Sequence, residues 1–207
     1  MLLYPENKAK NIIVIGTDEA GRGPLAGPVT AGAVYLPVDF PKQYLSLIQD
    51  SKKLSEVKRN SIATLLYQYA KVAVVHISPQ QIDEMNIRVA SLEAMSQAVK
   101  ILCKEAHLHL GDDDVILVDG RDRLETIKQS HAVVKGDSLY IPIAAASIVA
   151  KTARDDMMYK LDEIYPQYGF ARHKGYPTKA HRDALAQYGA CPEHRRSFAP
   201  VRHFLKE

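Results

Sequence analysis

Two apolar runs joined by a short turn rich in glycine and proline open this chain, and they restrict what it can fold into. Residues 12–18, within Asn11-Ile12-Ile13-Val14-Ile15-Gly16-Thr17-Asp18, are few and rich in β-branched side chains, which is the pattern of a buried strand. Val29-Thr30-Ala31-Gly32-Ala33-Val34-Tyr35-Leu36 has the same character. Strand, short turn and strand make a hairpin, so the sheet should begin antiparallel. The turn itself is Asp18-Glu19-Ala20-Gly21-Arg22-Gly23-Pro24. Carboxylates at a strand end can hold a hard divalent cation. Glycines allow a backbone to approach a ligand closely, and an arginine beside them suits a phosphate. Together these groups point to phosphodiester chemistry.

The rest of the chain alternates helix and strand patterns. Ser55 is placed to cap a helix through about Ala70, and Lys71 to Ile77 reads as a strand. Ser78-Pro79-Gln80-Gln81 has capping-box spacing with proline at the first helical position, and helical pattern continues in one or two pieces to about Ala106. After the polar turn Gly111-Asp112-Asp113-Asp114, Val115-Ile116-Leu117-Val118 reads as a buried strand ending at Asp119-Gly120. A short loop or strand region contains Lys135-Gly136-Asp137. Ile143 to about Ile164 reads as a helix, with Ala144-Ala145-Ala146-Ser147 packing closely and Tyr165-Pro166 ending it. Thr178 caps a last helix to Tyr188, stopped by Gly189. The plan is an α/β layer fold with a mixed sheet and a helical, basic C-terminal extension, in one domain spanning residues 1–207.

Charge matters here through its distribution. From Ala171 to Glu207 there are 8 Lys and Arg against 3 Asp and Glu, with four of the eight histidines, whereas the whole chain carries a formal charge of only +3. A basic tail on a near-neutral body is the footprint of a polyanion partner, and equally that of a solvated charged face. The two cysteines, Cys103 and Cys191, form no CxxC pattern, so neither a disulfide framework nor a zinc site is indicated. The start lacks signal-peptide architecture, and no apolar run approaches the roughly 20 residues of a membrane span. A cytoplasmic protein with no membrane contact is expected.

Asp119 resembles Asp18 in context, since each ends an apolar strand, and Asp137 is a further acid beside a glycine. Convergent carboxylates would form an oxygen-rich site for Mg²⁺ or Mn²⁺, although any one of them alone is as readily an exposed turn carboxylate. Neighbouring strand residues face opposite ways, so Asp18 and Glu19 can share a site only if the strand bends or ends there. The glycines give GxGxxxG followed by a strand, which excludes a dinucleotide fingerprint. Lys52 and Lys53 precede a helix start, where phosphate is attracted, and are also compatible with an ordinary basic loop. Tyr176, in His173-Lys174-Gly175-Tyr176-Pro177-Thr178, could stack on a sugar or pack as a turn.

Asp18-Glu19-Ala20-Gly21-Arg22-Gly23-Pro24, with Gly27-Pro28-Val29 behind it, resembles the signature of the type 2 ribonuclease H (ribonuclease HII) family. Asp50-Ser51-Lys52-Lys53-Leu54, Val118-Asp119-Gly120, Lys135-Gly136-Asp137, Ala144 to Lys151, His173-Lys174-Gly175-Tyr176 and His194-Arg195-Arg196-Ser197-Phe198 resemble it too, in the family's order and over nearly the whole chain. The resemblance implies a ribonuclease H-like fold, a central mixed sheet flanked by helices. It implies a monomeric endonuclease that cuts the RNA strand of RNA–DNA hybrids and incises 5′ of a lone ribonucleotide in duplex DNA. Water activated by divalent metal would leave 3′-hydroxyl and 5′-phosphate ends. Asp18, Glu19, Asp119 and Asp137 would be the catalytic metal site, holding two Mn²⁺ or Mg²⁺ ions with substrate. Gly21, Arg22 and Gly23 would read the ribose 2′-hydroxyl largely by backbone, Tyr176 would sense the RNA-to-DNA junction, and Lys52, Lys53 and the tail would hold phosphates. The rivals are another metal nuclease on the same fold and a non-catalytic nucleic-acid binder.

Overall fold

The computed structural model describes residues 2–3 and 12–205. Five strands form one mixed sheet in the order β3-β2-β1-β4-β5. The strands are β1 (Val14–Ala20), β2 (Val29–Tyr35), β3 (Lys71–Ile77), β4 (Val115–Asp119) and β5 (Ser130–Val133). β2 runs antiparallel to both β1 and β3, as the opening hairpin led one to expect, whereas β4 pairs in parallel with β1 on one side and β5 on the other. Parallel neighbours cannot be joined by a tight turn: the chain returns to β4 beside β1 only after the helical segments that follow β3, and it passes from β4 to β5 through residues 120–129.

Helices cover both faces. α1 (Glu56–Tyr69) and the long α4 (Ile141–Ile164) lie on one side, and α2 (Pro79–Met85) and α3 (Ile87–Glu105) on the other. Ser55 caps α1 by accepting from the Lys58 amide, and Ser78 and Gln81 form the expected capping box on α2. The helical stretch after Ser78 is two helices, broken at Asn86, whose backbone is left-handed and whose side chain caps α3. α4 begins two residues earlier than its pattern indicated, with Pro142 in its first turn. It lies backbone to backbone on the sheet: a Cβ on Gly16 would fall 2.1 Å from the Pro142 carbonyl carbon, and one on Gly32 would fall 2.7 Å from the Ala146 oxygen. The Ala144-Ala145-Ala146 run supplies the matching flatness on the helix side.

Three short helices complete the described chain: α5 (Phe170–His173), α6 (Lys179–Tyr188) and α7 (Ala199–Arg202). Thr178 caps α6 and Gly189 ends it. This region is tied to the glycine turn by main-chain hydrogen bonds, from Leu25 N–H to Gly175, from Gly27 N–H to Glu193, and from Arg195 N–H to Leu25. Among the described residues no helix is long and apolar enough to cross a membrane.

Candidate active site

The parallel pairing of β1 with β4 reaches Thr17 and Val118 and stops there, while β1 stays paired to β2 as far as Ala20. β1 therefore does not end at Asp18, which was one of the two ways, a bend or an end, in which Asp18 and Glu19 could share a site. Instead the ladder between the two central strands stops at Thr17 and Val118, and Asp18, Glu19 and Asp119, just beyond it, are close enough to repel one another. Asp18 shares its face with Gly16, beneath α4, and its carboxylate accepts from the Glu19 N–H at 2.7 Å. Glu19 faces α3 and borders a cleft with Ser91, Leu92 and Met95. Asp119 closes β4 and borders the same cleft.

Asp137 arrives from the turn after β5. Lys135 adopts a left-handed backbone there, and Asp119 Oδ1 accepts from the N–H groups of Gly136 at 2.7 Å and Asp137 at 3.4 Å. One acid thus fixes the turn that carries another. Lys52 donates to Asp137 at 2.9 Å, and Arg22 donates to Glu19 at 3.3 Å. Asp18 and Asp137 are buried, each 4% exposed.

The electrostatics of Asp18, Glu19 and Asp119 register the crowding. Burial, then repulsion from Glu19 and Asp119, raises the Asp18 carboxyl well above the ordinary range. Burial and Asp119 raise Glu19 against the pull of Arg22. Burial and Asp137 raise Asp119. The hydrogen bond to Asp137 raises the Lys52 ammonium, keeping it charged. A divalent cation would relieve such a set, and its hard oxygen donors suit Mg²⁺ or Mn²⁺. Among the described residues no three acidic, histidine or cysteine side chains are already arranged round one point to hold an ion.

The glycine turn lies beside the acids. Gly21 has φ +98°, and a Cβ there would fall 2.0 Å from Arg154 Nε, so backbone and packing both demand glycine. A Cβ added at Gly23 would meet only the Tyr176 ring, at an ordinary contact distance of 3.5 Å. Tyr176 is 44% exposed. Lys53 is not drawn to the acids: it lies 3.8 Å from Asp50 and borders a separate hollow with Leu45, Ile48 and Ile141.

Sequence reasoning missed several groups. Arg88, at the start of α3, grips Asp122 with two hydrogen bonds of 2.7 and 3.0 Å at the cleft beside Glu19. Its position two residues after the capping Asn86 was the available signal. The basic tail is also less free than its charge suggests. Arg195 is 0% exposed and points inward, the Arg196 and Ser197 amides donate to Asp83, and Lys174 sits 3.5 Å over the Tyr159 ring. Cys103 and Cys191 are free thiols, the latter buried.

A family model for ribonuclease HII matches residues 15–201. A ribonuclease HII of Francisella tularensis subsp. tularensis is 47% identical over 197 residues, covering 95% of this chain and 100% of that protein. Among solved structures, ribonuclease H2 from Pyrococcus horikoshii OT3 matches with a TM-score of 0.74 at 26% identity, over 93% of this chain and 97% of that one. Bst-RNase HIII in complex with Mn²⁺ matches with a TM-score of 0.73 over 92% of this chain and 68% of that one, and at 18% identity the likeness is one of fold.

Proposed function

The chain belongs to the ribonuclease HII family, and from that premise we propose a divalent-metal-dependent endonuclease that cuts the RNA strand of RNA–DNA hybrids. In the same proposal it incises 5′ of single ribonucleotides in duplex DNA and leaves 3′-hydroxyl and 5′-phosphate ends. The observation that carries the reading is the crowding of Asp18, Glu19, Asp119 and Asp137 beside the exposed residues Arg22 and Gly23. A non-catalytic binder is disfavoured by that crowding, because unneutralised acids repel phosphate.

The four carboxylates would hold Mn²⁺ or Mg²⁺, two ions with substrate, which would supply an activated water and neutralise the departing 3′ oxygen. The protein's own part is positioning. Asp119 holds the Gly136-Asp137 turn, so that acids from three separate segments keep their mutual geometry. Arg22 and Lys52, each paired to one acid, would be the cations that meet an incoming phosphate there. The Gly21-Arg22-Gly23 backbone would read the 2′-hydroxyl, the group that separates RNA from DNA. Tyr176, beside Gly23, would lie under the neighbouring sugar. Lys53 and the exposed cations of residues 171–207 would add phosphate affinity with little sequence preference. On this reading those residues belong to a single catalytic domain, in a monomeric cytoplasmic enzyme.

The reading is tested with a labelled DNA duplex containing one ribonucleotide, beside an all-DNA duplex, in Mg²⁺, Mn²⁺ and EDTA. Metal-dependent incision only at the 5′ side of the ribonucleotide supports it. Binding without incision in either metal favours the binder, and cutting of both duplexes favours a general nuclease.

A further inference from the structure

Two buried arginines from the second half of the chain hold the glycine turn from beneath. Arg195 donates from Nε to the Gly27 carbonyl at 3.0 Å, from Nη1 to that of Arg22 at 3.0 Å, and from Nη2 to that of Gly21 at 2.6 Å. Arg154, 1% exposed, donates from Nε to Pro28 at 3.0 Å and from Nη2 to Ala26 at 3.2 Å. Among the described residues neither guanidinium has a carboxylate within ion-pair distance. A buried cation without a counter-ion is costly unless its donors are satisfied. Here the satisfaction comes from the carbonyls of one turn, so any other shape of that turn strands a buried charge.

Peptide geometry converts this grip into a direction. The C=O and N–H of a trans peptide point opposite ways. With the Gly21 carbonyl drawn inward onto Arg195, the N–H of Arg22 turns away from it. With the Arg22 carbonyl drawn inward, the N–H of Gly23 does the same. Both residues are exposed, and neither N–H has an acceptor among the described residues. Two adjacent donors are therefore displayed next to the acid cluster by a side chain that lies behind them.

We infer that Arg195, supported by Arg154, is a specificity-determining positioning residue: it aims the Arg22 and Gly23 amides at the ribose 2′-hydroxyl without itself touching substrate. This rests on the 2′-hydroxyl reading above. It gives an inward role to a tail arginine whose charge alone suggested a phosphate contact. Lysine cannot replace it, because a single ammonium lacks the planar fork that engages three carbonyls at once.

The experiment compares the parent with Arg195→Lys and Arg154→Lys, confirming folding by cooperative melting. Binding of a duplex with one ribonucleotide and of an all-DNA duplex is measured by fluorescence anisotropy, with Ca²⁺ in place of the reactive ion. Hydrogen exchange is followed across residues 20–27. For Arg195→Lys the preference for the ribonucleotide should fall about tenfold or more, the scale of one or two lost hydrogen bonds. All-DNA affinity should stay within about twofold, since phosphate contacts are untouched. Exchange should quicken in residues 20–27 and not in α3, which a general loss of stability would also affect. A folded Arg195→Lys with parental preference and parental exchange overturns the inference. If Arg195→Lys does not fold, the same two readouts on Arg154→Lys decide it. A parent without any ribonucleotide preference overturns the underlying 2′-hydroxyl reading, while the exchange comparison still decides whether Arg195 holds the turn.

Discussion

Gly23 and Tyr176 face each other, and a Cβ built on Gly23 would lie 3.5 Å from Cε1 of the tyrosine ring. They are 153 positions apart in the chain. Leu25 N–H to the Gly175 carbonyl, at 2.8 Å, sets this approach. A methyl at Gly23 would thus meet only ordinary van der Waals contact within the protein.

That relationship gives the cleanest substitution for the proposed reader. Gly23→Ala should fold and melt like the parent, yet lose ribonucleotide-directed cleavage by about tenfold or more, the cost of placing one group in a specific polar contact. Gly21→Ala should lose stability as well, by about 1–3 kcal/mol, because it combines a positive φ with a clash against Arg154. Arg22→Ala should be milder than either if the backbone does the reading. Melting curves and kcat/KM for the three proteins decide this, and equal activity in all three would sink the backbone reader.

Asp119→Asn should reduce cleavage by on the order of 100-fold or more, the scale of one group at a charge-developing centre. Duplex affinity should remain measurable, because the phosphate-holding cations are elsewhere. The amide also weakens the acceptor that fixes Gly136 and Asp137. Single-turnover cleavage beside anisotropy separates the two effects, and a parental cleavage rate would exclude Asp119 from the metal set.

Acid should loosen the C-terminal region. His181 and His194 are 0% and 1% exposed, their Nε2 atoms lie 3.1 Å apart, and burial lowers both to about 4 from an ordinary 6.5. His173 stacks on His181, and Cys191 meets Nδ1 of His194. The unfolded chain takes up protons that the native histidines refuse. Stability is therefore intact above about pH 6.5 and falls as the pH drops from there towards 4, at about 1.4 kcal/mol per unit for each histidine. The raised carboxyls of Asp18, Glu19 and Asp119 act in the opposite sense, adding stability as they protonate. Melting from pH 7.5 to 4.5 for the parent and His194→Asn isolates the histidine contribution. An unchanged slope in the variant would place the acid sensitivity elsewhere.

Asp155 should be a stability residue with no part in cleavage. It is 3% exposed, accepts from Arg59 at 3.1 Å and from Lys151 at 2.5 Å, and ties α1 to α4. Asp155→Asn leaves the buried Arg59 uncompensated and should cost about 3–5 kcal/mol in urea unfolding. The folded fraction should keep parental kcat. A midpoint equal to the parent's would show that the pair contributes no net stability.

Most local features were legible in the residues. β3 spans the seven residues expected of it, and the Ser55, Ser78 and Thr178 caps are where their spacing placed them. Such features depend on hydrogen bonds between residues three or four apart, which sequence order supplies directly. β5 was not legible: its four residues include two exposed side chains and no alternation strong enough to register. Its strand character comes from parallel pairing to β4, a partner across the sheet.

The candidate site divides along the same line. Asp18, Glu19, Asp119 and Asp137 could be named as acids at strand ends and turns, because strand pattern and residue type are local properties. Their approach depends on where the β1–β4 pairing stops, and on Asp119 gathering the Gly136-Asp137 turn. Charge counting placed Arg195 in a basic tail. Only packing turns it inward, because burial and carbonyl partners distant in the chain decide whether a guanidinium meets a phosphate or holds a backbone. Local order specifies which groups are present. The contacts that aim them are made across the fold, where no spacing rule along the chain reaches.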